Sequence, residues 1–203
     1  MFHPGNAPMT QTALATATFF GPTHDRRSPE SIRFEQLRNA ICGARALMGQ
    51  HELLSPLFAE LLPFIGVIEP DRLGMSLPVV LAGEHLAAVS SRNVPDNDFL
   101  NMIREDMRPY AYRTTIEMIT RPCGVWERII AQSSDNSFFE FEVTGFPVID
   151  EARDACQIAF LVRASTSALS RPAEYVAGIE EGVEGGWIDL GHGIPEVSPI
   201  GFL

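Results

Sequence analysis

Residues 125–163 read VWERIIAQSSDNSFFEFEVTGFPVIDEARDACQIAFLVR, and the period of this stretch decides the fold class. From Ser137 to Thr144 apolar and polar residues alternate: Phe139, Phe141 and Val143 share one side, while Glu140 and Glu142 point away. A period of two is the mark of a half-buried strand. Cys156 to Arg163 repeats it, with Ile158, Phe160 and Val162 on one face, and Val125 to Ala131 is apolar enough for a third strand. Ser133-Ser134-Asp135-Asn136 and Asp150 to Asp154 carry the residues that close tight turns. The stretch therefore predicts a three-stranded antiparallel meander.

Working upstream, Asp106 to Ile119 predicts the longest central helix. Asp106 stands as its cap, Pro109 falls in its first turn, and Tyr112, Ile116 and Ile119 form its inward stripe. Asp96 to Ile103 holds a shorter helix, and Glu84 to Val89 one or two helical turns after Gly83. Pro63–Pro70 and Leu77–Leu81 read as two β-rich runs separated by the turn Asp71-Arg72-Leu73-Gly74. Before them, Ser28-Pro29-Glu30 is a strong helix start, in which serine caps, proline opens and glutamate complements the dipole. Phe34, Leu37, Ile41, Ala44 and Met48 follow at helical spacing. Ser55-Pro56 starts a second short helix with Leu57, Phe58 and Leu61.

Strands at both ends with helices between them give an α+β domain with a five-stranded antiparallel sheet. Four segments are expected. Residues 1–27, rich in Thr, Ala, Pro and Gly, form an arm; 28–61 carry the N-terminal helices; 62–165 form the core; 166–203 form an irregular, acidic, glycine-rich tail. That tail has one base, Arg171, against Glu174, Glu180, Glu181, Glu184, Asp189 and Glu196. It suits either a partner or the domain's own exposed sheet.

Composition narrows the functions. The chain has 203 residues, 45% hydrophobic, enough for one core with extensions. Its formal net charge is −11, from 15 basic and 26 acidic residues. That field opposes phosphate backbones and anionic membrane surfaces, so neither nucleic acid nor membrane is expected as a partner. Every basic residue is arginine, which removes Schiff-base chemistry and the P-loop lysine. Cys42, Cys123 and Cys156 are too far apart in sequence for a zinc or redox pair and fit buried thiols in a reducing cytosol. The N-terminus lacks the pattern of a signal peptide, and no apolar run approaches the ~20 residues of a membrane helix. A cytoplasmic location is expected.

Three stretches carry a resemblance. Leu61–Glu69 (LLPFIGVIE) resembles the opening of a bacterial PAS family, in which a helix ends at a Leu-Pro and runs into the first strand. Leu77–Leu100 (LPVVLAGEHLAAVSSRNVPDNDFL) is similar to that family's next element: a strand ending in glycine, a short helix, then a polar turn and an apolar dipeptide. Thr120–Trp126 (TRPCGVW) resembles its entry into the meander. The resemblance spans about residues 30–165. The first helix is less basic and less tyrosine-rich than is usual there, and the tail lies outside it. What the resemblance implies is a PAS-like sheet with short helices on one face and a sensory or regulatory role.

A PAS-like sheet wrapped by helices encloses an apolar cavity, for which Phe64, Leu86, Phe99, Tyr112, Ile116, Trp126, Phe139, Phe141 and Phe160 are the candidate lining. The alternative is that the same aromatics fill a solid core. No haem is expected, because Asp106–Ile119 holds no histidine for an axial ligand, and His85 reads as a surface residue. Ser91-Arg92-Asn93-Val94 resembles a flavin photoreceptor motif with Val94 in the cysteine's place, so no cysteinyl-flavin adduct can form. Glu140 and Glu142 read as a solvated or docking face rather than an acid–base pair. Asp189 and His192 lie in glycine-rich sequence and make no metal site; Gly191-His192-Gly193 lacks the strand-to-helix context of a dinucleotide fingerprint.

The expected function is therefore binding without catalysis: a small apolar or amphipathic ligand, a protein partner, or a homodimer formed through the N-terminal helix. Two alternatives stand beside it. One is a structural adaptor with a filled core. The other is a small cavity enzyme or carrier using Glu84, His85 or Tyr112.

Overall fold

The alternation of residues 137–163 becomes the centre of an antiparallel sheet. The computed structural model describes residues 26–90, 98–164 and 176–199. Its strands are β1 (Met48–Gly49), β2 (Ile65–Ile68), β3 (Val79–Ala82), β4 (Cys123–Ser133), β5 (Phe138–Asp150), β6 (Ala155–Ala164) and β7 (Val176–Asp189). They lie side by side in the order β3-β2-β6-β5-β4-β7. Strands β2 to β6 are the five read from the sequence, so the α+β, PAS-like sheet is present. β5 runs further than expected, through Pro147 to Asp150. Past Gly145, where β4 leaves it, its free side takes β1 in parallel at Met48↔Val148.

Strand β7 is the main departure. Residues expected to be irregular form a strand of 14 residues paired along the whole of β4, from Cys123↔Asp189 to Ser133↔Val176. The pairing slips three times, at bulges that bend the ladder and increase its twist.

Among the described residues three helices dress the sheet: α1 (Pro29–Cys42), α2 (Glu84–Ser90) and α3 (Arg108–Thr120). α1 begins as its sequence dictates, with the Ser28 side chain accepting from Ser31 N. Ser28 also ties the helix to the sheet, its backbone N and Oγ both donating to the Glu142 carboxylate. The second N-terminal helix is replaced by 3-10 turns over Gln50–Leu54 and Pro56–Phe58. Asp106 does not cap α3. It lies in a 3-10 turn and accepts from Arg104 instead, and Met107 holds the cap position without a side-chain bond.

Each face of the sheet has its own core. On one side Phe34 and Leu37 of α1 meet Met48, Leu53, Phe58, Ile65, Phe146 and Leu161. Phe34 is fully buried, edge-on to Phe58 at 5.9 Å and to Phe146 at 5.2 Å. Gly124 makes room for that packing, since a Cβ there would lie 2.5 Å from the Phe146 ring. The N-terminal helix thus shares a core with β2, β5 and β6 rather than standing apart. On the other side Leu77, Leu100, Ile103, Met118, Val125, Ile158 and Trp187 pack beneath α3. α3 turns Thr114, Thr115 and Met118 inward, whereas Tyr112, Ile116 and Ile119, the stripe expected from hydrophobicity, are only half-buried.

Candidate functional site

The face beneath α3 is not filled. Between the concave sheet and the layer of α2, α3 and the 3-10 turn Phe99–Met102 lies a cavity of about 600 Å³. Strand register explains its floor. Val125, Glu127 and Ile129 of β4 lie opposite Gly145, Val143 and Phe141 of β5, and Gly145, Val143 and Phe141 lie opposite Phe160, Val162 and Ala164 of β6. All nine line the space. Two glycines flank Phe160, namely Gly145 on β5 and Gly66 on β2. A Cβ at Gly66 would sit 2.4 Å from the Phe160 ring, so the glycine is what lets that ring lie flat on the floor. β7 closes the side with Val176, Ile179 and Gly182.

Of the nine sequence candidates, the structure brings five together: Phe64, Leu86, Phe99, Phe141 and Phe160 all line the cavity. The other four are elsewhere. Trp126 is buried on the opposite side of β4, because Val125 and Glu127 take the cavity side and its neighbour in a strand must face away. Tyr112 is half-buried against the core beneath α3 and donates to the Asp71 carbonyl at 3.2 Å, without lining the cavity. Ile116 sits on the flank of α3. Phe139 lies at the strand's outer end, edge-on to Phe141 at 4.6 Å. Lining the mouth, exposed His85 rests on Phe64 with ring centres 4.5 Å apart. Glu84 is exposed and does not touch the cavity.

Glu140 and Glu142 do face away. Glu140 accepts from Arg128, and Arg128 also reaches Glu184 on β7, forming a charged ladder across three strands. Glu142 receives α1. Asp189 accepts from Gly191 N and Gly193 N and so folds a turn rather than holding a metal. Residues Ser91–Val94 lie outside the described residues, as do 1–25 of the arm, 165 at the end of the core, and 166–175 and 200–203 of the tail.

The cavity wall is apolar save for a few groups. Thr114 Oγ1 donates to the Pro199 carbonyl and Thr115 Oγ1 to that of Ala111. Arg163 stacks its guanidinium 4.2 Å over the Phe64 ring and pairs with Glu30 of α1. Glu180 approaches Arg104 at 3.8 Å. Glu127 stands apart from all of these. Its carboxyl has no hydrogen-bond or ion-pair partner among the described residues, and burial pushes it up to about 7. The residue is half-buried and lines the cavity. Sequence reasoning missed Glu127, although a signal was there: at two residues from both Val125 and Ile129 it must share their face. Two of the thiols offer little chemistry, since burial pushes Cys123 up to about 12 and raises Cys42 as well. Among the described residues no three His, Cys, Asp or Glu side chains converge on a metal position, and no helix is long and apolar enough to cross a membrane.

No protein-family model and no curated protein matches the sequence. Several solved structures are similar to part of it. One is the VqmA dimer of Vibrio cholerae, at 12% identity and a TM-score of 0.40, where the match covers 60% of this chain and 54% of that one. A PAS domain from Colwellia psychrerythraea is 12% identical with a TM-score of 0.37, over 54% of this chain and 95% of that domain. An RNA-binding light-oxygen-voltage receptor is 15% identical with a TM-score of 0.40, over 61% of this chain and 36% of the receptor. This chain spans about half the length of the Vibrio protein.

Proposed function

We propose that this protein is a PAS-like sensory or regulatory module that works by binding. It holds a small apolar or amphipathic ligand beneath α3 and passes the bound state to another protein. The cavity is the observation that carries this reading. At about 600 Å³ it is in the size range that takes drug-sized ligands, and its walls are largely apolar with a few placed polar groups. A filled-core adaptor would leave no such space. Catalysis is the weaker reading, because among the described residues no nucleophile is paired with Glu127, and a carboxyl without such a partner is better suited to recognition than to turnover. The apolar stripe of α1 is engaged with its own sheet, so we place a homodimer or partner contact on another surface. The net charge of −11 still disfavours nucleic acid and anionic membranes as partners.

Native mass spectrometry of the purified chain, with the denatured mass as control, tests the reading. The expected result is a retained small molecule in the wild type and none in Val143→Phe, which fills the floor while keeping the fold. An empty wild type that binds nothing in a metabolite thermal-shift screen would move the assignment to the adaptor.

A further inference from the structure

Ligand chemistry can be read from Glu127, a carboxyl of the cavity wall that has no hydrogen-bond or ion-pair partner among the described residues. Glu127 sits mid-strand between Val125 and Ile129, opposite Val143 on β5 and Gly185 on β7. Gly185 gives it room: a Cβ there would fall 3.0 Å from the Glu127 Cγ and 2.5 Å from the Trp126 carbonyl oxygen. A buried polar group without a partner costs stability, and most native structures supply that partner from protein or solvent. Among the described residues no protein group does so for Glu127. The two threonine hydroxyls of the wall already donate to backbone carbonyls. The one arginine of the wall is held by Glu30 and the Phe64 ring.

We infer that the cavity selects a ligand with an apolar body and a single protonatable nitrogen, and that Glu127 is the group that reads the nitrogen. This rests on the cavity being a ligand site. Two features choose a base over an acid or a neutral alcohol. The first is the sign of the charges: Glu181 of β7 lines the same space as Glu127, as does Glu180, which Arg104 approaches at 3.8 Å, while Arg163, the arginine among the described wall residues, is already paired with Glu30. A ligand carboxylate would meet like charge, whereas an ammonium would be attracted. The second is hydrogen bonding. A carboxyl that finds an N–H donor of opposite charge forms a charge-assisted bond, roughly twice as strong as a neutral one. An alcohol offers the same carboxyl only a neutral donor.

The test uses three probes of one length, decylamine, decanol and decanoate, titrated calorimetrically into the full chain at neutral pH. Decylamine should bind at least about tenfold more tightly than decanol, equivalent to one charge-assisted bond, with decanoate the weakest. E127Q and E127M should lose that advantage, each binding decylamine no more tightly than it binds decanol, and a far-UV circular dichroism spectrum matching the wild type's shows that the variants are folded. An amine no tighter than the alcohol, a preference for decanoate, or an advantage that survives both substitutions overturns the inference. The wild-type ranking decides the matter even if a variant does not fold. If decanol binds without any preference for the amine, only the role of Glu127 fails. If none of the three binds, the proposed function fails with it.

Discussion

Replacing Glu127 with glutamine should make the ligand-free protein more stable at pH 8 and leave it nearly unchanged at pH 4.5. The carboxyl sits at about 7 in the fold against an ordinary value of 4.5. The sign follows from the proton. The folded state holds it more tightly than the open chain, so this group's contribution to stability is fully present below about 4.5 and is lost as pH rises through about 7. At about 1.4 kcal/mol per pH unit, the gap amounts to about 3 kcal/mol by pH 8. The glutamine side chain has the same shape and no proton to lose, so the variant escapes that penalty. Any fixed cost of a buried amide is the same at every pH, and the informative quantity is the difference between the two proteins as pH changes. Urea denaturation at a series of pH values reads it directly. In melting temperature, about 3 kcal/mol corresponds to roughly 6–12 °C for a chain of this size. Parallel wild-type and variant curves from pH 4.5 to 8 would refute the reasoning, because they would mean that Glu127 titrates as an ordinary surface carboxylate and that water fills the cavity.

Three further outcomes are expected. Phe34→Ala removes a fully buried ring from between Phe58 and Phe146, and should cost about 3–5 kcal/mol in denaturant unfolding. Gly83→Ala would place a Cβ 2.2 Å from the Leu62 carbonyl oxygen and 2.6 Å from the Pro63 carbonyl carbon. Backbone rather than side chain must yield there, so a loss of about 2–3 kcal/mol is expected by the same assay. Cys42 and Cys123, buried and with their thiols raised, should resist iodoacetamide in the native protein at pH 8 and react on unfolding, as peptide mass mapping would show.

The sheet was the legible part of the molecule because its strands announce themselves twice, by alternation and by the turns between them. Ser133–Asn136 closes as read, with Asn136 at φ 66°, and Phe141, Phe160 and their neighbours fall on the predicted face. Strand β7 was illegible for a physical reason. Its run of Gly and Glu has little intrinsic strand preference, and its extended form comes from the bare edge of β4. The register of α3 misled for another reason. Thr114 and Thr115 can turn inward because backbone carbonyls take their hydroxyl protons, so hydrophobicity alone rotates the inward stripe to the wrong side. Trp126 and Glu127 show the same limit most plainly. Apolarity would put the tryptophan in the cavity and the glutamate outside, and a single parity of the strand reverses both.

Strand β4 has two neighbours of different kinds. Ile129 pairs with Phe141 across a short turn, and with Gly182 only after the chain has passed through β5 and β6. The first contact is local and quick to close, while the second needs a long loop to come back. During synthesis the hairpins and the α1 face can therefore assemble while residues 176–189 have yet to emerge, and the wall built from Val176, Ile179 and Gly182 arrives after them. The cavity would be the last part of the molecule to exist, and under mechanical or thermal stress peeling of that edge strand would be the first step in losing it.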